Sequence, residues 1–326
     1  MLYPLIFQPV FKERVWGGRE LQRLYAKPIP DDQVIGESWE IADRPGDASV
    51  IANGPLAGKD LRWLMEHHAA ELLGDARPAA GGRFPLLCKV LDAREKLSLQ
   101  VHPPAQRAAE LKGEPKTEMW YVTDAAPDAS LYVGLKQGVT RAEFENRIVD
   151  GKVADCFHKI PVQAGDTMFL PSGRVHAIGS GLVIFEIQQN SDTTYRVFDW
   201  NRLGLDGQPR ELHIPQSLAS IDFKDFEPKL VASKYNQAPQ FQYRHLVQDP
   251  LFNVQEMKVA GVQTINLAGE VLRIIAVVQG GVEVIDPAST ISIHLQPGQF
   301  GLIPGTLKSV ALKTNPDTIF LCVEAN

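Results

Sequence analysis

Apolar and polar residues alternate with a period of two along much of this chain, and stripes with a helical period are few. A period of two is that of a half-buried β-strand, and Gly or Pro bounds most of these segments. Helices are predicted at 60–73 and 103–113, and a capping box formed by Thr140 and Glu143 starts a third. The predicted strands are 38–41, 84–91, 97–102, 117–123, 131–133, 167–170, 175–178, 182–188, 194–200, 252–259, 262–266, 273–278, 282–285, 289–294, 298–303, 308–312 and 319–323.

Many short strands with few helices predict a mainly β protein built as a sandwich or barrel. The pattern lapses at 225–240, where Lys, Glu, Pro, Ser, Asn and Gln dominate. We interpret this stretch as a linker. The chain is long enough for two domains with separate cores, so we expect one at 1–235, with the helical insertions, and one at 236–326.

An internal repeat connects the two halves. The frame Gln-x-Gly-x5-Pro at 163–171 recurs at 296–304, which is 133 residues further along the chain. A repeated supersecondary unit is the natural interpretation. At the same offset His176 falls on Ser309. The second half therefore repeats the turn without the histidine, and we expect it to hold no metal site.

Composition narrows the class of protein. Of 326 residues, 44% are hydrophobic and 22% are charged, with a net charge of −6 and no basic run among aromatics. This balance argues against a nucleic-acid partner. Three cysteines that lie far apart predict a reducing compartment, and the N-terminus lacks the basic start of a signal peptide. No apolar run reaches membrane-spanning length, so we expect a cytoplasmic protein without a membrane partner.

The first candidate for chemistry is the turn before His176. A short apolar strand at 167–170 is broken by Pro171 and Gly173, and the chain re-enters the sheet near His176. This arrangement presents one imidazole to a concave surface. Glu186 follows ten residues later, and 188–202 concentrates arginines, aspartates and aromatics in a short span. Such a mixture indicates a site rather than a solvated loop.

A second pair of candidates lies at 97–102. On a strand of period two, Gln100 and His102 face the side opposite to Leu99 and Val101. The two polar side chains therefore emerge together, either toward a site or as the polar outer face of an edge strand.

Glu118 is the third candidate. It shares a strand face with Lys116 and Trp120 in an otherwise apolar strand, so its carboxylate requires a cation. That cation is a metal or, alternatively, a basic side chain in a structural salt bridge. Two imidazoles, a carboxylate and an amide oxygen form a ligand set that suits zinc or a similar divalent metal, and the neutral glutamine leaves the ion a residual positive charge.

The turn at 165–176 resembles the second metal-binding motif of cupins, and the chain resembles the short bacterial form of type I phosphomannose isomerases. The segments that carry the second resemblance are 16–18, 36–41, 97–103, 116–118, 171–176 and 188–202. It implies two cupin-like jelly-roll barrels with a few short helices inserted in the N-terminal half. It further implies one Zn²⁺ on Gln100, His102, Glu118 and His176, and catalytic roles for Arg196, Glu186, Lys116 and Lys89.

The implied activity is the interconversion of mannose 6-phosphate and fructose 6-phosphate by proton transfer through a cis-enediol. Glu186 or a lysine of depressed pKa is the candidate base. The alternative for Glu186 is a carboxylate paired across the sheet with Arg196 in the resting enzyme, and the two roles can coexist. The phosphate-binding cations remain open among Lys89, Lys116, Lys159, Arg174 and Arg202. The alternatives are an isomerase or epimerase for another or unphosphorylated sugar, and a metal-binding cupin without catalysis. We expect a monomer or small homo-oligomer whose partner is a small phosphorylated sugar.

Overall fold

The computed structural model describes residues 2–289 and 291–326. Strands β1 to β25, in chain order, are Leu5–Gln8, Val10–Gly18, Ile35–Ile41, Asp43–Arg44, Asp47–Ala48, Val50–Ile51, Leu86–Ala93, Leu99–Val101, Glu118–Ala125, Ser130–Leu135, Phe157–Pro161, Thr167–Leu170, His176–Ile178, Leu182–Gln189, Tyr195–Phe198, Asn236–Gln237, Gln242–Gln248, Phe252–Val259, Thr264–Ala268, Arg273–Gln279, Val282–Ile285, Ser292–Leu295, Phe300–Ile303, Ser309–Thr314 and Thr318–Ala325. Helices α1 to α6 are Glu20–Tyr25, Leu61–His67, Ala69–Leu73, Ala105–Ala108, Arg141–Val149 and Ile214–Ser220. Two short 3₁₀ helices are Ala80–Gly82 and Val153–Cys156.

Four sheets stack as two sandwiches. The N-terminal sandwich faces a six-stranded sheet, ordered β12-β9-β14-β7-β3-β2, with a five-stranded sheet, ordered β11-β10-β13-β8-β15. The C-terminal sandwich faces an eight-stranded sheet, ordered β16-β17-β18-β25-β20-β23-β1-β6, with a four-stranded sheet, ordered β19-β24-β21-β22. The mainly β fold class is confirmed.

The period-two alternation explains the layers. In β9, Met119 and Tyr121 pack into the core between the six-stranded and eight-stranded sheets, whereas Trp120 and Val122 point into the N-terminal sandwich. The six-stranded sheet is thus buried on both faces, because one face meets the second sandwich. Its inner face is where the polar side chains of the site emerge.

The predicted helices form with shorter bounds than their patterns indicate. The stripe at 60–73 is interrupted at His68 and gives α2 and α3. The predicted start of the third helix is confirmed: Thr140 is the N-cap of α5, and its side chain accepts a hydrogen bond of 3.2 Å from the backbone N–H of Glu143. Within the described residues no helix is long and apolar enough to cross a membrane.

The two ends of the chain meet in one sheet. Strand β1 pairs with β23 and with β6, so the N-terminal strand lies in the eight-stranded sheet of the C-terminal sandwich. The division into 1–235 and 236–326 stays a prediction, and along the sequence it does not follow the sheets. Nothing in the local pattern of Leu5–Gln8 identifies a partner almost 300 residues away.

The repeated turn has one geometry in both sandwiches. Gly165 and Gly298 adopt positive φ values of 90° and 79°, which glycine tolerates. The side chain of the next residue accepts from the backbone N–H at the start of each frame, at 2.8 Å for Asp166 and for Gln299. Strand β12 or β23 follows.

Arg244 joins the C-terminal sheet to the first of these turns. Its guanidinium donates to the carbonyl of Gly165 at 2.7 Å and, through Nε, to Glu256 at 2.8 Å. Glu256 is fully buried and also accepts a hydrogen bond from the hydroxyl of Tyr235. The arginine therefore neutralises a buried carboxylate and holds the two sandwiches together.

We expect Arg244→Ala to lower the free energy of unfolding by about 3–5 kcal/mol, because it leaves the Glu256 carboxylate buried without its cation. Urea denaturation of the full chain measures this loss. Lys258→Ala is the matched control, since Lys258 is part-exposed and lies 3.9 Å from the same carboxylate. It should cost less than about 1 kcal/mol. Equal losses in the two variants would contradict the assignment.

Candidate active site

The turn that precedes His176 ties together three strands of the site. Gly173 has a φ of +95°, and its N–H donates to the carbonyl of His102 at 2.9 Å. The neighbouring Ser172 hydroxyl accepts from the N–H of Lys116 at 3.0 Å. His176 then opens β13 directly opposite Gln100 of β8. One glycine turn therefore fixes the positions of residues that are distant in sequence.

His102, Glu118 and His176 converge in the interior of the N-terminal sandwich. One potential ligand atom from each lies within 4.8 Å of the others. Nε2 of His102 is 3.6 Å from one carboxylate oxygen of Glu118, and Nε2 of His176 is 3.4 Å from the other. All three side chains are at most 1% exposed.

Hydrogen bonds to the backbone orient both imidazoles. Nδ1 of His102 donates to the carbonyl of Thr193 at 2.7 Å, and Nδ1 of His176 donates to the carbonyl of Arg174 at 2.9 Å. With Nδ1 protonated, the lone pair of each Nε2 points toward Glu118, as in histidines that bind metals. Within the described residues, His102 Nε2 and Glu118 Oε1 are buried without a hydrogen-bond partner, whereas Glu118 Oε2 lies 2.9 Å from the ammonium of Lys116. These are the atoms that a cation would satisfy.

Electrostatics keeps each candidate ligand in its metal-binding form. Burial, followed by the charge of Lys116, lowers the pKa of His102 to about 4. Burial likewise lowers the pKa of His176. Burial would raise the pKa of Glu118, but Lys116 and the two imidazoles hold it well below its ordinary value. Two neutral imidazoles and one carboxylate are the protonation states that metal ligation requires.

Gln100 lies beside this group. Its amide nitrogen is 3.4 Å from Nε2 of His176, and Ser98 donates to its amide oxygen at 3.4 Å. The oxygen and nitrogen of a glutamine amide differ only by a 180° rotation of the terminal torsion. That rotation presents the oxygen toward His176 and Glu118, so Gln100 fits as a fourth ligand.

A row of alternating charges crosses the inner face of the six-stranded sheet and ends at the candidate ligand Glu118. We call it the floor row, and its members are Arg14, Glu37, Lys89, Glu186, Lys116 and Glu118. From one end to the other, the successive nitrogen–oxygen distances are 2.8, 3.7, 3.2, 3.8 and 2.9 Å. Each buried charge therefore has an opposite charge on at least one side.

Close approach of two strands positions the outer end of the floor row. A side chain at Gly36 would lie 2.6 Å from Cβ of Arg14 and 2.7 Å from the ring of Trp16. Glycine thus leaves room for Arg14 to reach Glu37. Burial would raise the pKa of Glu37, but Lys89 and Arg14 lower it to about 2.

A cavity of about 600 Å³ opens above the floor row. Five of the sequence-predicted site residues line it, namely Gln100, Lys116, Lys89, Glu186 and Arg196. The three buried candidate ligands do not line it and adjoin it through Gln100 and Lys116. The alternative in which Glu186 pairs with Arg196 is wrong. Glu186 is 3.2 Å from Lys89 and accepts a hydrogen bond of 2.9 Å from the Trp120 indole, because register places Lys89 and Trp120 on either side of it.

Arg196 lies on the opposite wall, on β15, where it is the strand partner of Gln100. Its guanidinium donates to the carbonyl of Glu211 at 2.8 Å, and its Nε is buried without a partner within the described residues. Burial and then the neighbouring Arg210 lower the pKa of Arg196. A guanidinium with an unused donor and a cationic neighbour is suited to an incoming anion.

Two arginines bind one carboxylate at this wall, and Arg196 lies near them. Asp199 accepts from Arg202 at 2.8 Å and from Arg210 at 2.6 Å, close to Arg196. The cluster therefore carries an excess of positive charge. Arg196 and Arg210 both line the cavity.

Comparison with known proteins agrees with this geometry. The family model "Phosphomannose isomerase type I, catalytic domain" matches residues 5–140. The probable mannose-6-phosphate isomerase GmuF of Bacillus subtilis is 38% identical over 80% of this chain and 81% of its own length. A mannose-6-phosphate isomerase of Streptococcus mutans is 35% identical over 95% of both chains. The chain belongs to the type I phosphomannose isomerase family.

Solved structures extend the likeness to the whole fold. The mannose 6-phosphate isomerase from Bacillus subtilis aligns over the full length of both chains, with a TM-score of 0.89 and 31% identity. A mannose 6-phosphate isomerase that was solved with zinc and yttrium aligns over both full chains with a TM-score of 0.74 and 18% identity. At 18% identity this second likeness shows only that the two chains share a fold. This family member is therefore a sugar-phosphate isomerase built on the cupin fold.

Sequence reasoning missed several residues of the cavity. Glu37 stands in the apolar strand Ile35–Ile41 and is a buried carboxylate, so the reasoning applied to Glu118 would have found it. Arg14 gives a weaker signal, because it ends the charged run Lys12-Glu13-Arg14 on β2. Arg210 gives no such signal, because it lies in a loop that folds back onto Asp199.

We expect Glu37→Gln to lower the free energy of unfolding at pH 7 by about 3 kcal/mol, because the variant loses a carboxylate whose pKa is held near 2 rather than its ordinary value of about 4.5. The folded-state pKa is depressed, so this stabilisation is full above about pH 4.5 and is lost as the pH falls toward 2. Urea denaturation at pH 7 and near pH 3 should show the two proteins converging at the lower pH.

Glu13→Gln is the control for Glu37→Gln. Glu13 is exposed and forms no ion pair within the part of the chain that the structure describes. The same change in charge should alter the free energy of unfolding by less than about 0.5 kcal/mol at either pH. A constant difference between Glu37→Gln and the parent at both pH values would refute the depressed pKa.

Proposed function

We propose that this family member interconverts mannose 6-phosphate and fructose 6-phosphate with a zinc ion held by Gln100, His102, Glu118 and His176. The observation that carries the proposal is the buried carboxylate of Glu118, which faces two imidazole Nε2 atoms. One of its oxygens lies 2.9 Å from the ammonium of Lys116, and the other, which faces His176, has no hydrogen-bond partner within the described residues. Two nitrogens and two oxygens suit zinc among the divalent metals. A solved mannose 6-phosphate isomerase of the same fold was described with zinc and yttrium.

When bound, the ion supplies positive charge that stabilises the enediolate formed next to the carbonyl of the sugar. The floor row adds further positive charge at this end of the cavity. Lys116 is 2.9 Å from Glu118, and Lys89 is 3.2 Å from Glu186, so two ammonium groups also face the reacting end of the cavity. The remaining chemistry is the transfer of one proton between C2 and C1 and of a second proton between the oxygens O2 and O1.

Glu186 is the residue that we assign to this transfer. Burial would lower the pKa of Lys116, but Glu118 and Glu186 raise it above its ordinary value, so this lysine retains its proton and cannot act as the base. Glu186 is a carboxylate at the cavity wall, and Trp120 and Lys89 fix its orientation. One carboxylate on one face of a cis-enediol can remove the proton from C2 and return it to C1.

The arginine cluster at the opposite wall is suited to the phosphate. Arg196 and Arg210 face the cavity, and Asp199 balances only part of the charge of the three arginines. Two of the cations left open by the sequence are engaged elsewhere, since Arg174 forms a two-pronged ion pair with Asp225 and Lys159 lies over the ring of Tyr132. We therefore place the phosphate at Arg210 and Arg196, with the sugar carbonyl toward the three metal ligands.

The direct test is isomerisation of mannose 6-phosphate against free mannose, with and without a chelator. We expect conversion of the phosphorylated sugar, loss of activity with the chelator and recovery with zinc. His102→Ala should lose both stoichiometric metal and activity, because it removes one ligand of a buried site. Metal content by atomic emission and turnover by a coupled assay give the two measurements.

His158→Ala is the matched control for His102→Ala. His158 lies on β11 and is not one of the three converging ligands, so this variant should keep its metal and its turnover. Full metal content in His102→Ala would reject the ligand set. Faster turnover of free mannose than of mannose 6-phosphate would reject the substrate.

A second prediction concerns Arg196. Arg196→Lys keeps the positive charge but loses the planar fork of donors. If Arg196 stabilises substrate charge, the turnover number should fall by about 10²–10³, as for the loss of one oxyanion donor, while the metal content stays unchanged. The turnover number of the zinc-loaded variant is measured together with its urea midpoint. A destabilised variant with the turnover of the parent would show that Arg196 is only structural.

A further inference from the structure

A second polar cavity, of about 350 Å³, opens at one end of the C-terminal sandwich. Its wall is the inner face of the eight-stranded sheet, contributed by β17, β18, β25 and β20, and β19 covers it from the opposite sheet. The inner face of such a sandwich is normally apolar. At the other end of the C-terminal sandwich the inner face is apolar, and Val259, Val277 and Phe320 lie in its core.

Strand register identifies this cavity as the counterpart of the candidate active site. Strands β12 and β23 follow the two copies of the repeated turn. Leu170 of β12 pairs with Glu118, and the equivalent residue of β23, Ile303, pairs with Arg273. Arg273 therefore occupies the place of the candidate metal ligand Glu118.

The correspondence continues across the sheet. Glu118 and Trp120 pair with Gln188 and Glu186 of β14. In the second sandwich, Arg273 and Ile275 pair with Glu324 and Cys322 of β25. Cys322 thus stands where Glu186 stands in the first sandwich.

One strand further, Lys89 pairs with Glu186, and Gln255 pairs with Cys322. Gln255 thus replaces Lys89. The strands around the two cavities therefore pair in the same register. At three equivalent positions the charged residue of the first cavity is replaced by a residue of different charge in the second.

These exchanges remove the demand for a metal or an anion. Arg273 is 9% exposed, and its Nε donates to Glu324 at 2.9 Å. Its other two nitrogens donate to the carbonyls of Gly269 and Ala268 at 3.2 and 2.9 Å. Glu324 neutralises the guanidinium, and each of its three nitrogens donates one hydrogen bond within the protein, so this cation is already paired.

The remaining wall offers neutral hydrogen-bonding groups beside aromatic rings. The side chains of His245, Gln255 and Asn266 line the cavity and make no hydrogen bond or ion pair within residues 2–289 and 291–326. Tyr243 on β17 and Phe241, directly before this strand, also line the cavity, and the Tyr243 ring lies 5.7 Å from that of His245. Burial raises the pKa of the Cys322 thiol to about 12, so the thiol stays protonated and adds an apolar surface.

We propose that this cavity binds one uncharged monosaccharide or the corresponding polyol. Imidazole and amide groups both donate and accept, which matches the hydroxyl groups of such a ligand. The aromatic rings cover its C–H face. The volume lies at the lower end of the range for small-molecule sites and suits a single sugar unit. The site is separate from the catalytic cavity and does not depend on the proposed reaction.

Methionine methyl groups provide a test within the full-length, metal-loaded protein. Met257 lines the second cavity, whereas Met168 lies in the core of the N-terminal sandwich. With ¹³C-methyl methionine, titration with D-mannitol or D-mannose should shift the Met257 signal in a saturable way, with a Kd in the millimolar range. D-mannitol has no carbonyl to isomerise, and we expect it to leave Met168 unchanged.

Gln255→Leu should weaken this binding about tenfold, which corresponds to the loss of about 1.4 kcal/mol. Its isomerase activity and urea midpoint should match those of the parent, because Gln255 does not line the catalytic cavity. Gln248→Leu, on the exposed end of β17, is the control and should bind like the parent. No saturable shift of Met257, an equal shift in Gln255→Leu, or a response to inorganic phosphate in place of the sugars would each overturn the proposal.

Discussion

The site depends on keeping one fully buried carboxylate, Glu118, ionised. An isolated carboxylate in an apolar interior would take up a proton and lose its value as a ligand. Lys116, at 2.9 Å, prevents this, but the buried ammonium then needs a further anion, which is Glu186. Each further buried charge of the floor row likewise needs a neighbour of opposite charge on the next strand, and the row ends with Arg14 at the cavity wall.

This requirement determines the architecture of the six-stranded sheet. Strands β2, β3, β7, β14 and β9 each place a charged residue on the inner face, so their relative register is constrained by charge as well as by packing. A shift of one residue in any of them would move its charge to the core between the two sandwiches. That core is apolar and includes Val90, Met119 and Phe185, which makes such a shift costly.

Local periodicity predicted much of this site, and long-range register supplied the rest. The alternation at 97–102 was enough to place Gln100 with His102, and the turn at 165–176 was enough to predict that His176 points into a concave surface, which is the interior of the sandwich. Local periodicity does not predict which residues pair across the sheet. Glu186 has Lys89 and Trp120 as strand neighbours because β7 and β9 flank β14, and no local pattern distinguishes them from Arg196. The N-terminal strand β1, which joins a distant sheet, was missed for the same reason.

The two sandwiches separate what the backbone requires from what the chemistry requires. The glycine of the repeated turn is kept in both, because a positive φ is needed wherever the chain makes this turn. The residues above the turn are free to change, provided that every buried charge retains a partner. Glu118 with Lys116 and Arg273 with Glu324 both meet this condition at equivalent places in the two sheets. Within the described residues, only the first leaves a carboxylate oxygen, Oε1 of Glu118, without a hydrogen-bond partner, and only there do two imidazoles face the carboxylate.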